Sequence, residues 1–188
     1  ALERRRFGVS LYRIMLVDDE EEVRKAMIRK MDWEKLGFTV AGDAENGEDA
    51  LEKLEQLEPD VVMTDIRMPY MDGLTLVARI REKYPSIKIL IFSGYDDFEY
   101  AKQAIKYRVT EYILKPVNGE ELAEILRRVR VSLDEEIEER RNISMLQKSY
   151  ENSLPMLREV FLNDLFLINQ QKRHPTFIEC LPFLIFRP

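Results

Sequence analysis

The sequence predicts an α/β fold in which five parallel strands, joined by crossover helices, form an open sheet. Three observations carry that expectation. From Tyr12 onward, short apolar runs alternate with amphipathic stretches, the order that strand, crossover helix and strand require. Most of the runs are continuously apolar, as strands covered on both faces are. Four of the five end in a charged or hydroxyl-bearing residue, and in such sheets ligands bind beyond the carboxyl ends of the strands. With 188 residues, 45% of them apolar, the chain can bury one substantial core, so one domain plus an appendage is expected.

The strand candidates are, in order, 13–17, 39–42, 61–64, 87–92 and 112–114. Between them apolar side chains recur three and four apart: Val23 with Met27, Leu51 with Leu54, Val77 with Ile80, and Ala101 with Ala104 and Ile105. That spacing makes one helix face. Asn46 ahead of Asp49, and Asp72 ahead of Gly73, are helix starts, while Pro59 and Pro85 mark where the chain leaves a helix. The fifth helix opens near Gly119 and runs on. Leu122, Leu126, Val129, Leu133 and Ile137 keep spacings of three and four while the other faces are heavily charged. Such a narrow seam predicts a coiled-coil-like extension awaiting a partner helix; a helix folded back on its own sheet is the plainer alternative. Pro155 is expected to separate this helix from a second one in "LREVFLNDLFLI". The expected organisation is an N-terminal extension over 1–11, the sheet domain over 12–131, a helical linker over 132–168, and a segment 169–188 with no clean period.

A formal charge of −6 offers no net basic footprint for duplex nucleic acid, whose binding is driven by counterion release. Cys180 is the single cysteine and His174 the single histidine, so disulfide frameworks, zinc clusters and Ser-His-Asp or Cys-His catalysis lack parts. Chemistry must run on carboxylates. Arg13 interrupts the only early apolar run and no small-residue cleavage site follows it, so no signal peptide is read. The apolar "FIECLPFLIF" is about half the length that crosses a bilayer. A cytoplasmic location without a membrane partner is expected.

The first strand ends in Asp18 and Asp19, the third in Asp65, the fourth in Ser93 and the fifth in Lys115. Three carboxylates in a partly desolvated crevice repel one another, so a cation is needed among them. Without histidine or cysteine, hard oxygen ligands suit Mg²⁺, which takes one or two carboxylates, keeps waters and shares phosphoryl oxygens. Lys115 would add a second positive charge. One carboxylate could then attack phosphorus and form an acyl phosphate. Asp65, at the end of "DVVMTD" and mid-way along the edge, is the expected nucleophile, with Ser93 donating to a phosphoryl oxygen. Singly, each residue has a plainer role: Asp18 and Asp19 as an acidic helix start, Asp65 and Ser93 as turn residues, Lys115 as a loop residue, Tyr112 as packing, and Arg127, Arg128 and Arg130 as a solvated face. Their order at successive strand ends is what raises them above that.

"MLVDDE", "VVMTDIRMPYMDG", "ILIFSGY" and "EYILKPV" together resemble the receiver domain of two-component response regulators, over about residues 12–131. The resemblance implies a flavodoxin-like, doubly wound five-stranded sheet of order 2-1-3-4-5. It implies Asp65 as phosphoryl acceptor from a sensor histidine kinase, and Asp18 and Asp19 as the acidic pair around Mg²⁺, with Asp65 and the Arg67 backbone carbonyl as further ligands. Ser93 would be the hydroxyl switch residue, Tyr112 the aromatic one, and Lys115 the family's lysine, followed by a cis bond to Pro116. Arg67 and Tyr95 would flank water's approach to the acyl phosphate. "MDWEKLGFTVAGDAENGEDAL" and "FSGYDDFEYAKQAIKY" look like receivers whose output is an AraC-type helix-turn-helix domain. No such domain stands in this sequence, so DNA contact is implied only through an output domain outside it. Phosphorylation would draw Ser93 inward, let Tyr112 turn toward the core and favour a homodimer through the last receiver helices and the helical extension.

Two rival chemistries use similar parts. A Mg-dependent aspartyl-nucleophile phosphohydrolase would want a proton-donating acid two residues after the nucleophile, where Arg67 stands. An FMN carrier would want a hydroxyl-rich phosphate loop where Asp18, Asp19 and Glu20 would repel the phosphate. A phosphoacceptor switch is expected rather than a turnover enzyme.

Overall fold

The structure is a computed structural model that describes residues 11–94 and 98–171. Most of the N-terminal extension, Tyr95, His174 and Cys180 lie outside the described residues, as does most of the patternless segment 169–188. In chain order the elements are β1 (Tyr12–Val17), α1 (Glu21–Lys30), α2 (Trp33–Leu36), β2 (Phe38–Ala44), α3 (Gly47–Leu57), β3 (Val61–Asp65), α4 (Gly73–Lys83), β4 (Lys88–Ser93), α5 (Phe98–Lys106), β5 (Glu111–Leu114) and α6 (Gly119–Gln171). All strand pairs are parallel, and the order is β2-β1-β3-β4-β5. Each expected strand is present with its ends moved by no more than two residues.

Continuous apolar runs behave as two-sided strands should. Met15, Val17, Val62, Ile89 and Ile91 join the core cluster with Leu54 of α3 and Leu76, Val77 and Ile80 of α4. The alternate positions Ile14, Leu16, Met63 and Leu90, which a period of two sends to the other face, are equally buried. The helix starts expected from sequence are in place. Asn46 Oδ1 accepts from the backbone N of Glu48 and of Asp49, both at 3.0 Å, and Asp72 Oδ1 accepts from Thr75 N at 2.7 Å. These bonds satisfy helix donors that have no partner within the helix. The short helix α2 was not foreseen; it ends at Gly37, whose φ of +88° suits a residue without a side chain.

Two expectations for the C-terminal helix are corrected. Leu122, Leu126, Val129 and Leu133 are 3, 0, 2 and 6% exposed, so this part of the seam is buried inside the domain and the folded-back alternative holds there. Arg128 pairs with Glu111 of β5 at 3.2 Å, and Tyr12 of β1 donates to Asp134 at 2.5 Å. Pro155 does not break the helix, because α6 is continuous through it. A proline removes one backbone donor and strands the carbonyl four residues back, here that of Glu151. Both residues are exposed, and water can take up that acceptor. By internal contacts the chain divides into two units, 1–134 and 135–188. In the second, residues 138–164 are exposed throughout.

Candidate functional site

The C-terminal edge of the sheet gathers four of the expected residues. Asp18 follows β1 and is 6% exposed, Asp65 ends β3, Ser93 ends β4 at 1% exposure, and Lys115 follows β5. Lys115 Nζ stands 3.2 Å from Asp18 Oδ2 and 3.2 Å from Asp65 Oδ1, one ammonium shared by two carboxylates. A hydrogen bond from Lys115 N to the Ser93 carbonyl, 2.7 Å, ties the last two strand ends together ahead of a cis bond to Pro116.

Each acid is held by its own local structure. Asp18 Oδ1 accepts from Glu20 N at 2.9 Å, and its carbonyl accepts from Arg24 Nη1 at 2.6 Å, while Arg24 Nε donates to Asp43 Oδ2 at 2.6 Å. Arg24 is a buried brace that its single place on an amphipathic helix did not signal. Asp65 is fixed through its backbone. Thr64 Oγ1 donates to the Asp65 carbonyl at 2.8 Å, and Gly73 N donates to Ile66 O at 2.8 Å, closing the loop 66–72 onto the strand end. A Cβ at Gly73 would lie 1.9 Å from the Asp65 carbonyl oxygen, so only glycine lets the chain turn there.

Burial pushes the Asp65 carboxyl above the usual carboxylate range. Lys115 and the Ile66 backbone N–H pull it down and Asp18 pushes it further up. Burial alone would lower Lys115, but the attraction of Asp18 and Asp65 outweighs it and holds the ammonium above its ordinary value. Lys115 therefore gains from the pair while Asp65 does not recover its desolvation, and one ammonium faces two carboxylates.

The other expected residues are placed differently. Asp19 is exposed beside Asp18. Arg67 is exposed, with its guanidinium 5.9 Å from the centre of the Tyr100 ring. Tyr112 packs its ring against the core cluster, and its buried hydroxyl has no hydrogen-bond partner among the described residues. Among the described residues, no three His, Cys, Asp or Glu side chains are grouped to hold a metal ion. Two carboxylates remain, the number that Mg²⁺ uses when water and phosphoryl oxygens complete its shell. A fixed carboxylate beside an ammonium, at the same sheet edge as a buried hydroxyl, is a set of groups that could serve nucleophilic attack on phosphorus.

Residues 14–127 match the profile of the response regulator receiver domain. The chain belongs to that family. Its relatives include an uncharacterized transcriptional regulatory protein, YesN, of Bacillus subtilis (strain 168), 40% identical over 119 residues, which are 63% of this chain and 32% of YesN. The chain thus spans about a third of that relative's length. Among solved structures, the receiver of AraT, a response regulator from Geobacillus stearothermophilus, is 37% identical, with a TM-score of 0.63 over 67% of this chain and 98% of that one. A two-component transcriptional regulator AraC from Clostridium phytofermentans is also 37% identical, with a TM-score of 0.60 over 65% of this chain and 96% of that one. The receiver is a phosphoacceptor signalling switch of the kind found in transcriptional regulators. No helix among the described residues is long and apolar enough to cross a membrane.

Proposed function

We propose that Asp65 of this receiver accepts a phosphoryl group from a sensor histidine kinase and that the phosphorylated domain controls a transcriptional output domain in a longer parent protein, in the cytoplasm. The observation that carries this is the single Lys115 ammonium held equally between Asp18 and Asp65. The ionised Asp65 oxygen attacks phosphorus as the bond to the donor imidazole breaks, and the imidazole keeps the electron pair. Lys115 then moves its charge to the new phosphoryl oxygens and the Ser93 hydroxyl donates to one of them.

Asp18 and Asp65 would hold Mg²⁺, with Asp19 and the Arg67 carbonyl as candidate further ligands. The ion supplies positive charge to the phosphoryl oxygens. One ammonium between two carboxylates leaves negative charge in excess, which supports a cation there. Tyr112, whose buried hydroxyl has no partner among the described residues, is the aromatic group set to respond to a moved Ser93. A homodimer is supported by Ile105 and Leu114, 79 and 49% exposed on α5 and β5. On α6, Ile143, Leu146, Tyr150, Leu154, Leu157 and Phe161 form an exposed apolar stripe at spacings of three and four.

The phosphohydrolase reading is disfavoured by Arg67, which stands where that chemistry would want a general acid. Intact mass after treatment with acetyl phosphate decides between them. An adduct that needs Mg²⁺ is expected on the wild type and none on Asp65→Asn. An adduct that persists on Asp65→Asn would remove Asp65 as acceptor, and turnover without an adduct would favour a hydrolase. Light scattering of the same samples is expected to show a larger species after phosphorylation; a monomer at high concentration counts against the dimer.

A further inference from the structure

The loop that follows the acceptor is pinned along its length. The bond from Gly73 N to Ile66 O closes it, Asp72 caps α4, and Met68 and Met71 pack against the core cluster. Gly47 N donates to the Met71 carbonyl at 3.2 Å. Between these anchors Tyr70 is turned outward at 86% exposure, more than any other large apolar side chain among the described residues. Its φ is +64°, and Met71 N donates to Pro69 O across it at 2.7 Å. This is a γ-turn with a positive φ at its centre, a rare and strained form, and for a residue as bulky as tyrosine such a φ is an outlier.

Strained residues persist where their surroundings over-determine them, and they gather at functional sites. The anchored neighbours supply the over-determination here. The ring contributes almost no burial to the fold, and a glycine would meet the same backbone demand without strain. What explains a tyrosine is therefore a contact outside the molecule. The position selects the partner. Tyr70 is five residues beyond Asp65, on the loop closed against it, and the Asp65 side chain is only 16% exposed. A phosphorylated imidazole must reach into that pocket, so the protein surface bearing it comes to rest on the rim.

We propose that Tyr70 is a docking residue for the phosphoryl-donor protein, its ring packing on an apolar patch beside the donor's phosphohistidine. It takes no part in bond making; it positions the donor for the transfer to Asp65. The proposal rests on the reading of Asp65 as acceptor, so two donors are needed to test it. Acetyl phosphate with Mg²⁺ needs no rim. The protein donor is a radiolabelled kinase transmitter domain, chosen from a panel as the fastest donor to the wild-type chain.

With the transmitter domain below saturation, Tyr70→Ala and Tyr70→Gly are expected to slow transfer about tenfold, the loss typical of an aromatic anchor. The effect should lie in KM and vanish at saturating donor. Tyr70→Phe keeps the ring and should stay near the wild-type rate. All three should take phosphate from acetyl phosphate at the wild-type rate, and Tyr70→Gly should melt a few degrees higher because the strain is relieved. Unchanged transfer from the transmitter domain in Tyr70→Gly would overturn the proposal. So would a lowered melting point in that variant, a loss confined to kcat, or a wild-type chain labelled by acetyl phosphate but by no transmitter. A wild-type chain that acetyl phosphate fails to label would instead overturn the reading of Asp65.

Discussion

Two aspartates bracket the same buried strand, and the two edges of the sheet use them differently. Asp60, just before β3, accepts from Arg13 N at 2.8 Å through Oδ2, donates its own N–H to Arg13 O at 2.8 Å, and accepts from Lys88 N at 2.9 Å through its carbonyl. It ties β1, β3 and β4 together at the N-terminal edge. Asp65, at the other end of β3, shares the Lys115 ammonium with Asp18, and burial holds its carboxyl above the ordinary range. One acid links three strands through its backbone and one carboxylate oxygen; the other shares an ammonium with a second carboxylate and is held raised by burial. Residue type does not separate the two acids. The kind of partner and the depth of burial do.

That contrast can be broken from either end of β3. The largest effect is expected from Gly73→Ala, which sets a methyl group against the Asp65 carbonyl. It should cost about 3 kcal/mol or more in urea unfolding and weaken adduct formation on Asp65, whereas wild-type stability would mean that the loop shifts freely. Asp60→Ala leaves Arg13 N without its carboxylate partner and should cost about 1–3 kcal/mol, with the phosphoryl adduct on Asp65 unaffected.

Asp65→Asn should have the smallest effect on stability, and one of opposite sign. A carboxyl whose pKa is raised by folding binds its proton more tightly in the native state, so it lowers stability as pH climbs through the range from its unfolded to its folded value. The variant should match the wild type in acid and melt higher near neutral pH. Lys115, also raised, keeps its contribution at neutral pH and loses it only in alkali, as pH passes its folded value. Thermal melts across the acid to neutral range read the difference. A gap that closes as pH rises would show that the Lys115 pairing outweighs burial.

Much of the fold was legible because its signals are local. Asn46 and Asp72 cap the helices that they were expected to start, and "DVVMTD" is a buried strand with its acid at the tip. The misreadings have local causes as well. Pro155 breaks a helix where the carbonyl it strands is buried, whereas this stretch is exposed and water can stand in for the missing donor. The stretch from Leu122 to Leu133 has the spacing of a seam for a partner helix and the same spacing as a face buried at home; period alone does not say what covers it. The strained turn at Tyr70 left no mark in the sequence, since a positive φ at a non-glycine residue runs against local preference.

By itself the sequence determined the alternation of strands and helices, their approximate ends and the polar groups at the strand tips, because side-chain period and turn chemistry act over a few residues. Only the tertiary structure decided that one ammonium lies between two acids from different strands, and that Tyr12 meets Asp134 across 122 positions of chain. It also decided that Asp60 meets backbone of β1 and β4 while Asp65 meets an ammonium and a second acid. Those outcomes depend on which distant segments the packing brings together, and no local pattern encodes a distance across the fold.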